Sequence, residues 1–250
     1  MRPQPDFREL GCNECQGAGV LGFDFSMAFQ PIVNVATNTV FAYEALCRGP
    51  AGESAGSVFA HVNEGNRYRF DQTCRVKAIE LAARLGVDCY VSINFMPNAV
   101  YKPEVCLRTT LQAAAQWNFP VDRIIFEFTE TEQVQDMDHL VSIIDCYKER
   151  GFKTAIDDFG SGFAGLSLLA GVRTDFVKID MDLVRDADQD LARQVILRHT
   201  VAMCRDLGIQ VVAEGVESRA EIETLRGMGV ELFQGFYLAR PGFEVLPEVG

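Results

Sequence analysis

Positive charge, histidine and long apolar runs are all scarce in this chain, and each shortage removes a class of function. Lys and Arg number 23 against 35 Asp and Glu, a formal net charge of −12. That balance argues against a broad basic surface gripping the phosphates of a nucleic acid polymer. It leaves room for a small anionic ligand, because cations bound among acidic groups invert the local field. The three histidines, His61, His139 and His199, share no spacing, which speaks against a His-based zinc centre or a Ser-His triad. No apolar stretch reaches the roughly 18 residues of a membrane span, and MRPQPDFREL lacks the apolar core of a signal peptide. A cytoplasmic protein is expected. No GxGxxG or GxxxxGK motif follows an apolar run, so a nucleotide-binding loop on an open doubly wound sheet is disfavoured.

Cysteine is present in a pattern that speaks against a disulfide framework. Cys47, Cys74, Cys89, Cys106, Cys146 and Cys204 fall in apolar periodic segments and read as buried free thiols of a reducing compartment. Cys12 and Cys15 form a CxxC in GCNECQGAG, half of a tetrahedral site with no second half in the chain. Residues 1–24 therefore read as a leader whose thiols are either incidental or shared with another chain, and residues 25–250 as one domain.

What the chain does have is a recurring polar intrusion. Six apolar runs carry a polar side chain within or just past them: Glu44 in FAYEAL, Asn94 in YVSINF, Glu127 in IIFEFTE, Asp157 with Asp158 in TAIDDFG, Lys178 in FVKID and Glu214 in VVAEG. A carboxylate in an apolar strand loses several kcal/mol of hydration. Such repetition points to one shared pocket, neutralised by cations. Oxygen donors without imidazole or thiolate suit hard ions, Mg2+ or Mn2+.

Eight runs read as strands: Met27–Val33, Val40–Leu46, Cys89–Phe95, Ile124–Phe128, Thr154–Asp157, Phe176–Ile179, Gln210–Ala213 and Leu232–Tyr237. Helical patterns fill most gaps, over Asp71–Leu85 with Asp71 as cap, Pro103–Trp117, Asp138–Glu149, Asp190–Leu207 and Ser218–Met228. In the last, Ser218 caps with Glu221 three residues on. This alternation predicts a (β/α)8 barrel of the TIM type. Only Asn34–Thr39 separates the first two strands, too short for a parallel crossover and enough for a hairpin. The expected fold is thus an α/β modified TIM-type barrel with one antiparallel strand, though the spacing does not say which strand is reversed. Asn94, Glu127, Asp157, Lys178 and Glu214 sit late in their runs, so barrel closure gathers them at the carboxyl rim where such folds carry their chemistry.

Beyond this, the ordered motifs resemble the EAL-domain cyclic-di-GMP phosphodiesterases. Glu44-Ala45-Leu46-Cys47-Arg48 matches EALxR, and the likeness continues through Gln30-Pro31-Ile32, SINFMP, FEFTE, DDFGSG, VKID, EGVE and QGF, over roughly residues 25–242. The family's fold is a barrel with one antiparallel strand, in agreement with the hairpin. The resemblance implies hydrolysis of cyclic di-GMP to linear pGpG by a water activated between two ions, Mg2+ or Mn2+. It implies Glu44, Asn94, Glu127 and Asp157 as ligands of one ion, and Asp157, Asp158 and Glu214 for the second. Lys178 would orient the water or stabilise developing charge. Arg48 resembles the phosphate contact, Glu130 the residue that holds the loop after DDFG, and Gln30, Glu217 and Gln234 the positions around the substrate; Asp180 could equally be a strand-end partner of Lys178. Cys47 fills the variable position of EALxR, and Ser161 replaces the Thr of many relatives. A homodimer is implied, and a regulatory partner protein is expected because no sensor accompanies the barrel. A catalytically silent cyclic-di-GMP receptor is the alternative function; the intact carboxylates speak for the enzyme.

Overall fold

The computed structural model describes residues 21–130, 136–162 and 165–249. Cys12 and Cys15 lie outside them. The chain opens with β1 (Ser26–Asn34) and β2 (Thr39–Arg48), then α1 (Ala55–Phe59) and α2 (Arg67–Leu85). Next come β3 (Tyr90–Asn94), α3 (Pro103–Gln116), β4 (Ile124–Thr129), α4 (Met137–Glu149), β5 (Lys153–Phe159) and α5 (Gly165–Gly171). β6 (Phe176–Ile179), α6 (Met181–Val184), α7 (Leu191–Asp206), β7 (Gln210–Ala213), α8 (Arg219–Gly227), β8 (Leu232–Phe233) and β9 (Gly242–Phe243) complete the described order.

β2 through β8 run parallel, each hydrogen-bonded to the next, and β1 closes the ring by pairing antiparallel with both β2 and β8. The reversed strand is therefore β1. The hairpin turns at Asn34, whose side-chain oxygen accepts from the amides of Ala36 and Thr37 at 2.9 and 3.1 Å. Asn38 takes a left-handed φ of 56°, a conformation Asn tolerates better than most residues. The short β9 adds to the other end of β1, Ala28 facing Phe243; two residues are too few to leave a sequence signal.

Among the described residues, four helices start where a side chain satisfies orphan amides. Asp136 accepts from His139 N, Asp190 from Ala192 N and Arg193 N, and Ser218 forms a capping box with Glu221. Asp71 corrects the expectation placed on it. α2 begins a turn earlier, and Asp71 is buried inside it, 2.7 Å from Arg75 and accepting from Met96 N at 3.0 Å. The predicted last strand is also cut short, to Leu232–Phe233. Gly235 lies so close to Val216 that a Cβ would clash with its backbone, so the chain there docks on the preceding loop instead of extending.

Two apolar layers hold the barrel. Alternate strand residues such as Val91, Phe126, Phe128 and Val177 face the helices, in one large cluster with Leu107, Ile143 and Tyr147. The opposite set fills the barrel interior: Ile32, Ala42, Ile125, Ala155, Phe176, Val212 and Leu232, flanked by Phe41 and Tyr90. Among the described residues, no helix is long and apolar enough to cross a membrane.

Candidate metal centre

One pleat above the interior apolar layer, the side chains turn polar on every strand. Side chains two residues apart share a face, so the step from Ala42 leads to Glu44, from Tyr90 to Ser92, from Ile125 to Glu127 and from Ala155 to Asp157. Likewise Phe176 leads to Lys178, Val212 to Glu214 and Leu232 to Gln234. On the reversed β1 the step counts backwards, from Ile32 to Gln30. Strand register aligns the layer: Gln30 lies opposite Glu44, Glu44 beside Ser92, and Asn94 beside Glu127. This is the layered filling of a TIM-type interior, with apolar contents below and ionisable ones above.

Lys178 sits at the centre, 1% exposed. Its Nζ lies 3.1 Å from Glu44 Oε2, 2.9 Å from Glu127 Oε2, 3.0 Å from Asp157 Oδ1 and 2.8 Å from Glu214 Oε1. Glu44 also accepts from Asn94 Nδ2 at 3.0 Å and Gln234 Nε2 at 2.8 Å. Gln234 further reaches Gln30 Oε1 at 3.3 Å, and Gln30 donates to the Ala239 carbonyl at 3.2 Å. The Ser92 hydroxyl donates to Glu127 Oε1.

Asp157 and Asp158 are chain neighbours, and strict alternation would send them to opposite faces. Both line the same cleft. The pairing of β5 with β6 shifts register between Ile156 and Phe159, and Asp158 adopts φ 53°. This irregularity with a left-handed residue re-aims the second carboxylate, a strain of about 1–3 kcal/mol of the kind that collects at functional sites.

Burial and crowding set the electrostatics. Burial pushes the Glu127 carboxyl up to about 8, against the pull of Lys178 and helped by Glu44 and Asp157. Burial and the neighbouring Asp157 charge raise Asp158 to about 6 and drive Glu214 well above the ordinary range. Burial would raise Glu44 too, but the Lys178 charge and the hydrogen bonds from Gln234, Lys178 and Asn94 hold it below its usual value. Lys178 stays firmly protonated: burial opposes its charge, and Asp157, Glu127, Glu214 and Glu44 more than offset that.

The donor set fits hard divalent cations. Glu44, Glu127 and Asp157 place ligand oxygens within 4.8 Å of one another, as do Asp157, Asp158 and Glu214. The two groups share Asp157, and neither includes histidine or cysteine.

Above this floor opens a cleft of about 730 Å3 whose lining includes Gln30, Glu44, Arg48, Asn94, Asp157, Asp158, Glu214, Glu217 and Gln234. Arg48 donates to its neighbouring Cys47 carbonyl at 2.7 Å. Glu217 pairs with Arg185 at 3.1 Å on the rim. Glu130 lies beneath the loop that follows β5, accepting from Gly160 N and Gly165 N, each at 2.7 Å. A Cβ on Gly165 would meet the Glu130 carboxylate at 2.9 Å, so glycine is what permits the approach. Asp180 does not pair with Lys178 through its side chain; it caps α6, accepting from Asp182 N at 2.8 Å. Ser92 and Arg185 were not anticipated from sequence. The signal for Ser92 was available, since it shares a strand face with Asn94; for Arg185 there was none.

Fold and site together define a modified α/β barrel with a carboxylate-floored mouth suited to divalent cations. The chain belongs to the EAL domain family, whose model matches residues 19–241. In structure it is similar to a standalone versatile EAL protein from Vibrio cholerae O395 in its c-di-GMP bound form. The two share 57% identity and a TM-score of 0.90, over 92% of this chain and 97% of that one. In sequence it is similar to the blue light- and temperature-regulated antirepressor BluF of Escherichia coli, 31% identical over 89% of this chain. The cyclic di-GMP phosphodiesterase PdeB of Shewanella oneidensis is 31% identical over 65% of this chain. The chain spans 55% of the length of BluF and 19% of PdeB.

Proposed function

We propose that this protein hydrolyses cyclic di-GMP to linear pGpG with two divalent cations, Mg2+ or Mn2+, held in the rim cluster. The observation that carries the reading is the two groups of carboxylates that share Asp157 at the mouth of the barrel. Glu44, Asn94, Glu127 and Asp157 would hold one ion and Asp157, Asp158 and Glu214 the other. Charge supports the count: five carboxylates against the one ammonium of Lys178 leave a formal −4, which two divalent cations balance. When bound, such cations spread the charge on a phosphodiester's non-bridging oxygens and make a water acidic enough to attack at neutral pH.

The chain's own residues do the positioning. Lys178 holds four carboxylates that would otherwise repel one another, which keeps the ligand oxygens aimed at shared points. Gln234 and Asn94 fix both oxygens of Glu44, and Gln30 steadies Gln234 through its amide. Arg48 lines the cleft beside Glu44, where a guanidinium meets a substrate phosphate; Glu217 lies across the same opening. Glu130 pins the loop that opens at Gly160, two residues after Asp158. Exposed Leu191 and Val195, one turn apart on α7, support a homodimer.

A non-catalytic receptor is the second reading, favoured by the likeness to an antirepressor. Incubation with cyclic di-GMP and Mg2+ or Mn2+, with products resolved by chromatography, separates the two. The phosphodiesterase releases pGpG and loses turnover in Glu44→Ala; binding without turnover selects the receptor.

A further inference from the structure

Two thiols stand in the wall of the cleft, outside the acidic cluster. Cys47 lies on β2 between Leu46 and Arg48, and Cys74 lies on α2, which packs on β1 and β3 to either side of β2; both line the opening. Cys47 is partly exposed and Cys74 is 9% exposed. Cys74 belongs to the large apolar cluster between barrel and helices, Cys47 packs against that same cluster, and neither is in a disulfide. The remaining described cysteines, Cys89, Cys106, Cys146 and Cys204, do not line the cleft.

We propose that Cys47 and Cys74 form a peroxide-oxidisable dithiol whose reversible disulfide ties β2 to α2 and weakens ligand binding in the cleft. The surroundings suit Cys47 to the role of attacking thiol. The hydrogen bond with Cys74 lowers its pKa most, burial opposes this, and the charges of Arg48 and Lys77 add to the lowering. Cys74 has the opposite character, its pKa driven well up by burial and by Cys47, as befits a resolving thiol that reacts only with an oxidised neighbour. A partly exposed thiol of lowered pKa beside a second thiol is the arrangement that oxidises selectively.

The chemistry balances with hydrogen peroxide as oxidant. The Cys47 sulfur attacks one peroxide oxygen, the O–O bond breaks, and the departing hydroxide takes a proton to become water, leaving Cys47 as the sulfenic acid. The Cys74 sulfur then attacks the Cys47 sulfur, the S–O bond breaks, and the hydroxide leaves with the Cys74 proton as a second water. Two thiols lose two electrons and peroxide gains them. A thiol reductant reverses the result by exchange.

The consequence for the cleft follows from position. Cys47 is flanked by Arg48 and lies three residues from Glu44, so a covalent link to α2 moves the wall that carries both. The effect on binding rests on the cyclic di-GMP reading; the disulfide does not.

The test treats the reduced full-length protein with a small excess of hydrogen peroxide, blocks free thiols with N-ethylmaleimide and maps disulfides by mass spectrometry of tryptic peptides. A Cys47–Cys74 cross-link that dithiothreitol removes is the expected result. Cys47 and Cys74 both recovered as maleimide adducts, including the case where only Cys12 and Cys15 are joined, overturns the proposal. Binding of cyclic di-GMP in Ca2+ is then measured by calorimetry on both forms. At least fivefold weaker binding after oxidation is expected, restored by dithiothreitol and insensitive to peroxide in Cys47→Ala and Cys74→Ala. Equal affinity in both forms refutes the coupling to the cleft. If neither form binds, the functional reading fails while the mapping still decides the dithiol.

Discussion

Replacing Lys178 by Met tests the electrostatic core of the site directly. The side chain keeps similar length and loses a cation that lies within 3.1 Å of four carboxylates. Removing one partner of a buried ion pair costs about 3–5 kcal/mol, because the survivor is left desolvated and uncompensated. Four survivors raise the penalty and proton uptake limits it, since Glu127 already titrates near 8. At about 2–4 °C per kcal/mol for a domain of this size, the metal-free protein at pH 8 should melt about 6–20 °C lower than wild type. Two dependences follow. The deficit shrinks toward pH 5, where the carboxylates take up protons in place of the ammonium, and it shrinks at pH 8 when Mn2+ is added in excess. Thermal denaturation followed by circular dichroism, in EDTA and in Mn2+, reads both. A metal-free variant within about 3 °C of wild type at pH 8 would refute the assignment of Lys178 as the counterion of the cluster.

Other perturbations test separate parts of the reasoning. Glu127 holds a proton in the fold up to about pH 8 and, unfolded, only to its ordinary value. Its contribution to stability is therefore full at low pH and lost as pH rises through about 8; metal-free Glu127→Gln should show a flatter melting profile between about pH 5 and 8. Metal affinity has the opposite sense, because Asp158 at about 6 and Glu127 at about 8 must release protons to act as ligands. Mn2+ titration by electron paramagnetic resonance should show tighter binding at pH 8 than at pH 6. Glu130→Ala removes two 2.7 Å bonds to loop amides and should lower turnover tenfold or more with a stability loss of about 1–3 kcal/mol; unchanged kinetics would remove the loop from the reaction. Arg75→Met strands Asp71 and the Tyr147 hydroxyl, which it meets at 2.7 and 2.6 Å. Urea unfolding should show a loss of about 3–5 kcal/mol.

The site was legible in sequence because its logic is a strand period. Each interior strand position changes from apolar to polar one pleat further on, and a buried acid in an apolar run is costly enough to mark itself. Strand and helix positions followed for the same reason, since caps such as Asp190 and Ser218 and runs such as Ile124–Phe128 act locally. What could not be read depended on tertiary partners. Asp71 has the chemistry of a cap, and only the packing of Arg75 and Met96 shows that it is a buried counterion. The irregularity at Asp158 leaves no mark in DDF, because alternation alone would put one of the two acids outside. The reversed strand could not be chosen from loop length, which is symmetric between β1 and β2. Tyr237 extended the predicted last strand because the approach of Gly235 to Val216 is a contact between distant segments.

The reversal of β1 has a consequence for how the molecule could be connected. An ordinary barrel of this type starts its first strand at the end opposite its chemistry, so anything fused ahead of it hangs far from substrate. Here Ser26 opens a strand that points downward, and the chain enters at the mouth, beside Arg48 and the β9 ribbon. Whatever attaches ahead of Ser26 is therefore joined to the strand pair that carries Arg48.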